Sequence, residues 1–281
     1  MLINSLENEI TLKEEVTLNG IGIHSGKRVS ITCTPRESGG IQFVRTDLNN
    51  ANIKAHANNI FGANRASILK ENNILIKTPE HLLSAIAGLR IDHLNIKINA
   101  DEVPILDGSS KDYVEKFKKV GLQVLSSYKK KFKLTEVLLL KGNDSWIKLS
   151  PQKKETKEIK YELSYPDHFI KSQLYKFNFN TKNYCTEIAP ARTYGFKHEI
   201  DALIEKGLIK GGSLENAVVI GETEYLNKLR FKNECVRHKI LDLIGDLSIF
   251  GYELIADIEA FKSGHELNLQ MVKKLDSLLQ T

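Results

Sequence analysis

Val, Ile and Thr recur with a period near two through the first third of the chain. Residues 15–22, 28–35 and 40–45 carry this pattern, and Ser25-Gly26 and Ser38-Gly39-Gly40 break it as turns. Three strands are predicted there, with a short fourth over 74–77. The period then lengthens. Thr78 stands where an N-cap belongs and Pro79 occupies the first helical position, so a helix is predicted through Ala87, stopped at Gly88. A strand over 93–98 follows, then an amphipathic helix over 111–120, capped by Ser109 and ended by Gly121. Residues 126–133, Ser-Ser-Tyr-Lys-Lys-Lys-Phe-Lys, read as a polar, solvated linker.

The second half repeats the outline. Strands are predicted over 134–140, 146–149, 158–164 and 174–179, and helices over 198–205, 233–250 and 267–279. Strands followed by helices, twice, give an α+β class rather than an alternating one. The expected division is a domain over 1–126 and a second over 127–281. A faint echo supports the repeat. Glu80-His81-Leu82 through Gly88 and Arg237-His238-Lys239 through Gly245 each place His ahead of an apolar helix with Gly seven residues on. Helices at matching places can face each other across a domain interface, where ligand sites concentrate.

On the helix near residue 238, Val236, Ile240, Leu243, Ile244 and Leu247 form an apolar stripe, while His238, Asp242 and Asp246 share another face. This titratable face is either a solvated one with internal i,i+4 pairs or half of a metal site. With His81 as a third ligand the set becomes His/His/Asp, which leaves one zinc position open, as in catalytic sites. Glu80, beside a ligand, is placed to take a proton from water. His265 in Ser263-Gly264-His265, paired with Asp246, would serve as a charged general acid, and Thr193 as an oxyanion donor.

Composition narrows the class without selecting a function. In 281 residues, 41% are hydrophobic and 27% charged, which excludes a disordered chain, a collagen-like repeat and a membrane bundle. Three dispersed cysteines, Cys33, Cys185 and Cys235, make neither a disulfide framework nor a CxxC site and read as reduced thiols. The first residues lack a secretory pattern, and no run reaches the ~18 apolar residues of a membrane span. A net charge of +5 leaves nucleic acid, an anionic membrane surface and a small anionic substrate all open.

Seven motifs stand in order: Gly20-Ile21-Gly22-Ile23-His24-Ser25-Gly26-Lys27, Thr78-Pro79-Glu80-His81-Leu82-Leu83-Ser84-Ala85, Glu102-Val103-Pro104-Ile105-Leu106-Asp107-Gly108-Ser109, Ala191-Arg192-Thr193-Tyr194-Gly195-Phe196, Gly211-Gly212-Ser213-Leu214-Glu215-Asn216-Ala217, Val236-Arg237-His238-Lys239-Ile240-Leu241-Asp242 and Ser263-Gly264-His265-Glu266-Leu267-Asn268. Together they resemble the UDP-3-O-acyl-N-acetylglucosamine deacetylases, zinc amidases of bacterial lipid A synthesis, over about residues 14–275. The resemblance implies two pseudo-repeated two-layer α/β sandwich domains with the site between them. It also implies a cytoplasmic, monomeric hydrolase of Gram-negative bacteria, at the committed step towards lipopolysaccharide. His81, His238 and Asp242 match zinc ligands (Fe2+ suits such a site too). Glu80 matches the general base, Thr193 the oxyanion donor and Asp246 the residue that orients the acid His265. Lys239 matches a binder of the nucleotide diphosphate. Tyr194, Phe196 and Gly212 fall in the expected substrate site, and residues 195–219, Leu208 among them, in an insert that forms an acyl passage. Tyr165, in Tyr165-Pro166-Asp167-His168, would stack on uracil. His24 is shared with the family and stays outside the catalytic set. Two other readings compete. One is a zinc amidase of the same fold acting on another N-acyl amino sugar. The other is a binder that uses Lys129–Lys133 on RNA or an anionic surface, although aromatics do not interleave there as RNA readers require. The expectation is therefore no nucleic-acid partner and no stable membrane insertion, only peripheral association.

Overall fold

A computed structural model of the chain describes residues 1–205 and 209–279; Leu208 of the expected insert lies outside them. Strand β1 (Leu2–Leu12) precedes the first repeat. That repeat runs β2 (Val16–Ile21), β3 (Arg28–Pro35), β4 (Ile41–Arg45) and β5 (Ala51–Lys54), then a small antiparallel sheet of β6 (Ile60–Ala63), β7 (Ser67–Glu71) and β8 (Ile74–Lys77). It closes with α1 (Glu80–Gly88), β9 (Leu94–Ile98) and α2 (Lys111–Val120). After β10 (Leu122–Lys133), the second repeat supplies β11 (Leu138–Lys141), β12 (Trp146–Pro151), β13 (Glu158–Tyr165) and β14 (Lys171–Asn178). An insert follows, with α3 (Thr181–Asn183), β15 (Tyr194–Phe196), α4 (Lys197–Glu205) and β16 (Val218–Ile220). Then come α5 (Glu234–Ser248), β17 (Glu253–Phe261) and α6 (His265–Ser277).

The echo between the halves is a repeat of topology. The first sheet has the order β2-β3-β9-β4-β5 and the second contains β11-β12-β17-β13-β14. In both, the third strand runs antiparallel to the second and parallel to the fourth. Each repeat carries its extra elements at the same place, between its fourth strand and the helix that follows. The α+β class expected from the sequence therefore holds. α1 and α5 pack directly on each other. Gly245 permits this approach: a Cβ there would lie 2.1 Å from the carbonyl oxygen of Glu80. Apolar side chains of both sheets (Phe43 and Ile96, Ile147 and Ile258) join the helices in one continuous core.

Three expectations fail. The expected linker is β10, a strand paired antiparallel with β1 and parallel with the start of β17. Its lysines alternate by face. Lys129 is 3% exposed and bonds Asp92 at 2.7 Å, while Lys131 is 8% exposed and bonds Glu7 at 2.7 Å. Phe132, next along the strand, meets Phe250 edge to face. Carboxylates on neighbouring elements neutralise the buried ammonium groups, and sequence periodicity does not record that. Lys129 and Lys131 are thus withdrawn from any basic patch. The expected cap also differs: Thr78 adopts a left-handed φ of 55°, its hydroxyl has no partner among the described residues, and the helix starts from Pro79 instead. The N-cap of α2 is Ser110 and not the expected Ser109, whose hydroxyl, one residue earlier, accepts from Lys111 N–H at 3.1 Å.

Candidate active site

α5 buries the face that carries His238, Asp242 and Asp246, at 2%, 3% and 0% exposure. The solvated alternative for this face is excluded. The first turn of α1 brings Glu80 and His81 opposite it, both buried. His238 Nε2 lies 3.2 Å and His81 Nε2 3.6 Å from Asp242 Oδ1. Asp242 Oδ1 has no hydrogen-bond donor among the described residues. His238 Nδ1 sits 3.0 Å from the Ala191 carbonyl, so it donates there and leaves the Nε2 lone pair facing inward. Burial, reinforced by His238, pushes His81 down to about 3, which keeps its ring neutral. Burial opposes ionisation of Asp242, yet His238 and Lys239 outweigh it and hold the carboxyl well below its usual range. Three potential ligand atoms thus converge on one point. Ligands ~2.0–2.2 Å from a tetrahedral metal lie about 3.3–3.6 Å apart, so the set fits one divalent ion. Among the described residues these three form the one such group.

Two acid–base groups adjoin the cluster. His265 Nε2 lies 3.8 Å from Glu80 Oε1 and 3.9 Å from Asp242 Oδ2. Its Nδ1 donates to Asp246 Oδ2 at 2.9 Å. Burial pushes Glu80 up, and the Asp246 and Asp242 carboxylates add to this against His265. Burial alone lowers His265, but Asp246, Glu80 and Asp242 together raise it above its ordinary value. One group poised to accept a proton and one poised to give it therefore face the same space.

The remaining expected residues surround this centre. Lys239 Nζ bonds Asp242 Oδ2 at 2.7 Å and leaves Oδ1 to the metal cluster. Its ammonium also lies 5.7 Å from the Tyr194 ring centroid. The Tyr194 hydroxyl meets that of Tyr165 at 3.2 Å, and Tyr165 packs edge to face on Phe196. Thr193 is half-buried on the segment that orients His238, tied by its N–H to Gly108 O at 2.8 Å. Gly212 sits farther out, in the turn where Gly211 and Lys210 donate to the carbonyls of Ile23 and His24. His24 lies in the facing turn over 22–27, its N–H held by buried Glu102.

The sequence reading assigned no role to several supporting residues, although Asn268 and Arg192 stand in its motifs. Asn268, one turn after His265, donates to Asp246 Oδ2 at 2.8 Å, and Ser263 and Tyr161 continue that chain behind it. Its i+3 spacing from His265 was a usable signal. The buried pair Arg192–Glu234, at 2.9 Å, fixes the segment bearing Ala191 and Thr193. Ser67 bonds both Glu80 and Asp246, and nothing in its local sequence announces this.

Known proteins match nearly the whole chain. The family model described as LpxC, UDP-3-O-acyl N-acetylglycosamine deacetylase, matches residues 9–277. A protein of Nautilia profundicola named UDP-3-O-acyl-N-acetylglucosamine deacetylase is 41% identical over 267 residues, covering 94% of this chain and 90% of its own. Proteins of the same name from a Psychrobacter species and from Campylobacter jejuni are 39% and 38% identical, each covering 91% of its own length. The chain belongs to the UDP-3-O-acyl N-acetylglycosamine deacetylase family.

Proposed function

We propose that this protein removes the N-acetyl group of UDP-3-O-acyl-N-acetylglucosamine, giving UDP-3-O-acyl-glucosamine and acetate. The observation that carries this reading is the convergence of His81, His238 and Asp242 beside Glu80 and the His265–Asp246 pair. His81, His238 and Asp242 would hold zinc, or Fe2+. The ion supplies Lewis acidity and lowers the pKa of water at the site. Glu80 takes a proton from the attacking water as the new C–O bond forms. The Thr193 hydroxyl donates to the oxyanion of the tetrahedral intermediate. His265, held as imidazolium by Asp246, protonates the departing amine as the C–N bond breaks. Family membership supports this reading, as does the opposed environment of the two acid–base groups.

Lys239 would meet the diphosphate, with its bond to Asp242 shared or exchanged. Tyr165, Tyr194 and Phe196 form an aromatic wall suited to the nucleoside and sugar, and Gly212 belongs to the loop that borders it. The insert at 195–219 would form the acyl passage; Ile204 and Leu214 stand 58% and 54% exposed on it. The reading includes a monomeric enzyme of the cytoplasm, in a Gram-negative cell, at the committed step of lipid A biosynthesis, with two domains near 1–126 and 127–281. It has no nucleic-acid partner and only peripheral contact with membranes. No helix among the described residues is long and apolar enough to cross a bilayer.

The test is acetate release with metal analysis on the same preparation. Metal-loaded protein should deacetylate the 3-O-acylated nucleotide sugar far faster than UDP-N-acetylglucosamine. Equal rates on both would assign the protein to another N-acyl amino sugar.

A further inference from the structure

We infer that Ser67 is a positioning residue of the deacetylation site, a clamp that fixes the Asp246 carboxylate and through it the acid His265. The inference rests on the function proposed above and adds a residue that no motif of the chain contains.

Ser67 is the first residue of β7, fully buried, in the small sheet inserted before α1. Three of its groups reach the site. Its hydroxyl donates to Asp246 Oδ1 at 2.5 Å, its N–H donates to Glu80 Oε2 at 3.2 Å, and its carbonyl accepts from Thr78 N–H at 3.1 Å. The last bond holds the left-handed corner from which α1, with Glu80 and His81, departs. One residue of the first repeat thus touches a carboxylate from each repeat.

The hydroxyl does what no neighbour replaces. Asp246 is completely buried, and among the described residues its Oδ2 accepts from His265 and Asn268 while its Oδ1 accepts from Ser67. Donors on opposite oxygens fix rotation about the Cβ–Cγ bond. Without the Ser67 hydroxyl, Oδ1 is a buried acceptor with no donor, which is costly enough to favour a turn of the carboxylate towards other partners. His265 Nδ1 then loses its alignment, and Nε2 leaves the position 3.8 Å from Glu80 and 3.9 Å from Asp242. None of the metal-ligating atoms bonds Ser67, so metal affinity is not the quantity affected.

The experiment compares Ser67→Val with Ser67→Thr in zinc-loaded protein, since these two side chains match in size and differ in the hydroxyl. Ser67→Val should lower kcat about 10–100-fold, the usual effect of losing a partner behind a site residue. Its KM and zinc content should stay near wild type, and Ser67→Thr should retain most of the activity. In a His265→Ala background Ser67→Val should cost nothing further, because the clamp acts only through His265. Equal losses for Val and Thr, or a full second loss in that background, would overturn the inference. The Nδ1–H proton resonance of His265 gives a readout without substrate: it should persist in wild type and Ser67→Thr and shift or vanish in Ser67→Val. If wild type releases no acetate, the proposed function fails, and this resonance alone still decides the clamp. An unchanged signal in all three proteins refutes it.

Discussion

At the residue scale, two adjacent side chains on α1 have separable duties. His81 points its Nε2 at Asp242, while Glu80 faces His265 and takes its support from Ser67 N–H. Removing a ligand and removing the base should therefore fail differently. His238→Ala deletes one of three ligands and is expected to lose both bound metal and acetate release. Glu80→Gln keeps shape and hydrogen-bonding capacity but cannot take a proton, so it should retain metal and lower kcat by about 10²–10⁴. Metal content and kcat measured on the same samples check the division, and a zinc-replete, active His238→Ala would remove His238 from the ligand set. Their grouping was legible because residue types recur at helical spacing: His238, Asp242 and Asp246 advance by single turns. Ser67 was not legible. A lone serine in a strand carries no spacing signal, and its two carboxylate partners lie 13 and 179 positions away.

At the element scale, helices were easier to read than strands. α1, α2 and α5 announce themselves with a Pro start, a Ser cap and apolar stripes, because these are local signals. β17 was missed although Leu254, Ala256, Ile258 and Ala260 alternate inward without a break, since two small alanines weaken the hydrophobic contrast. β1 and β10 were missed for a different reason. Each is stabilised by pairing with a distant segment, and in β10 lysines occupy the inward positions, where Asp92, Glu7 and Glu253 meet them. The α1–α5 contact gives the prediction for this scale. Gly245→Ala would gain about 1 kcal/mol of helix propensity. The new methyl, however, would sit 2.1 Å from a backbone oxygen, that of Glu80, which no rotamer change can relieve. Overpacking of this kind costs roughly 1–3 kcal/mol and more where the backbone must move, so the net effect should be destabilising. The displaced atom belongs to Glu80, the base of the proposed reaction, so kcat should fall alongside Tm. A variant that gained stability and kept full activity would show that the helices are not in direct contact there.

At the scale of the whole molecule, the two repeats share one site and are not separable bodies. Ser67, Glu80 and His81 come from the first, and His238, Asp242, Asp246, His265 and Asn268 from the second. β10 leaves the first repeat and becomes a strand of the second repeat's sheet, and α1 packs on α5 through Gly245. The charge balance changes meaning in this frame. Part of the lysine excess is used internally, in Lys129 and Lys131, and Lys239, beside the cluster, is already bound to a carboxylate. Steering of an anionic nucleotide then rests on a few placed groups more than on the net +5. Shared core and shared site together predict one cooperative unfolding transition, with calorimetric and van't Hoff enthalpies in agreement. Zinc at about 100 times its Kd should stabilise the folded state by about 2.7 kcal/mol, because the unfolded chain lacks the converging ligands. For a chain of this size that is a rise in Tm of about 4–5 °C. The shift should move the whole transition, since the ligands come from both repeats and neither can unfold while they are held. His238→Ala should abolish the shift. Two resolved transitions, only one of them moved by zinc, would mean that the repeats unfold independently and that the ligands do not span them.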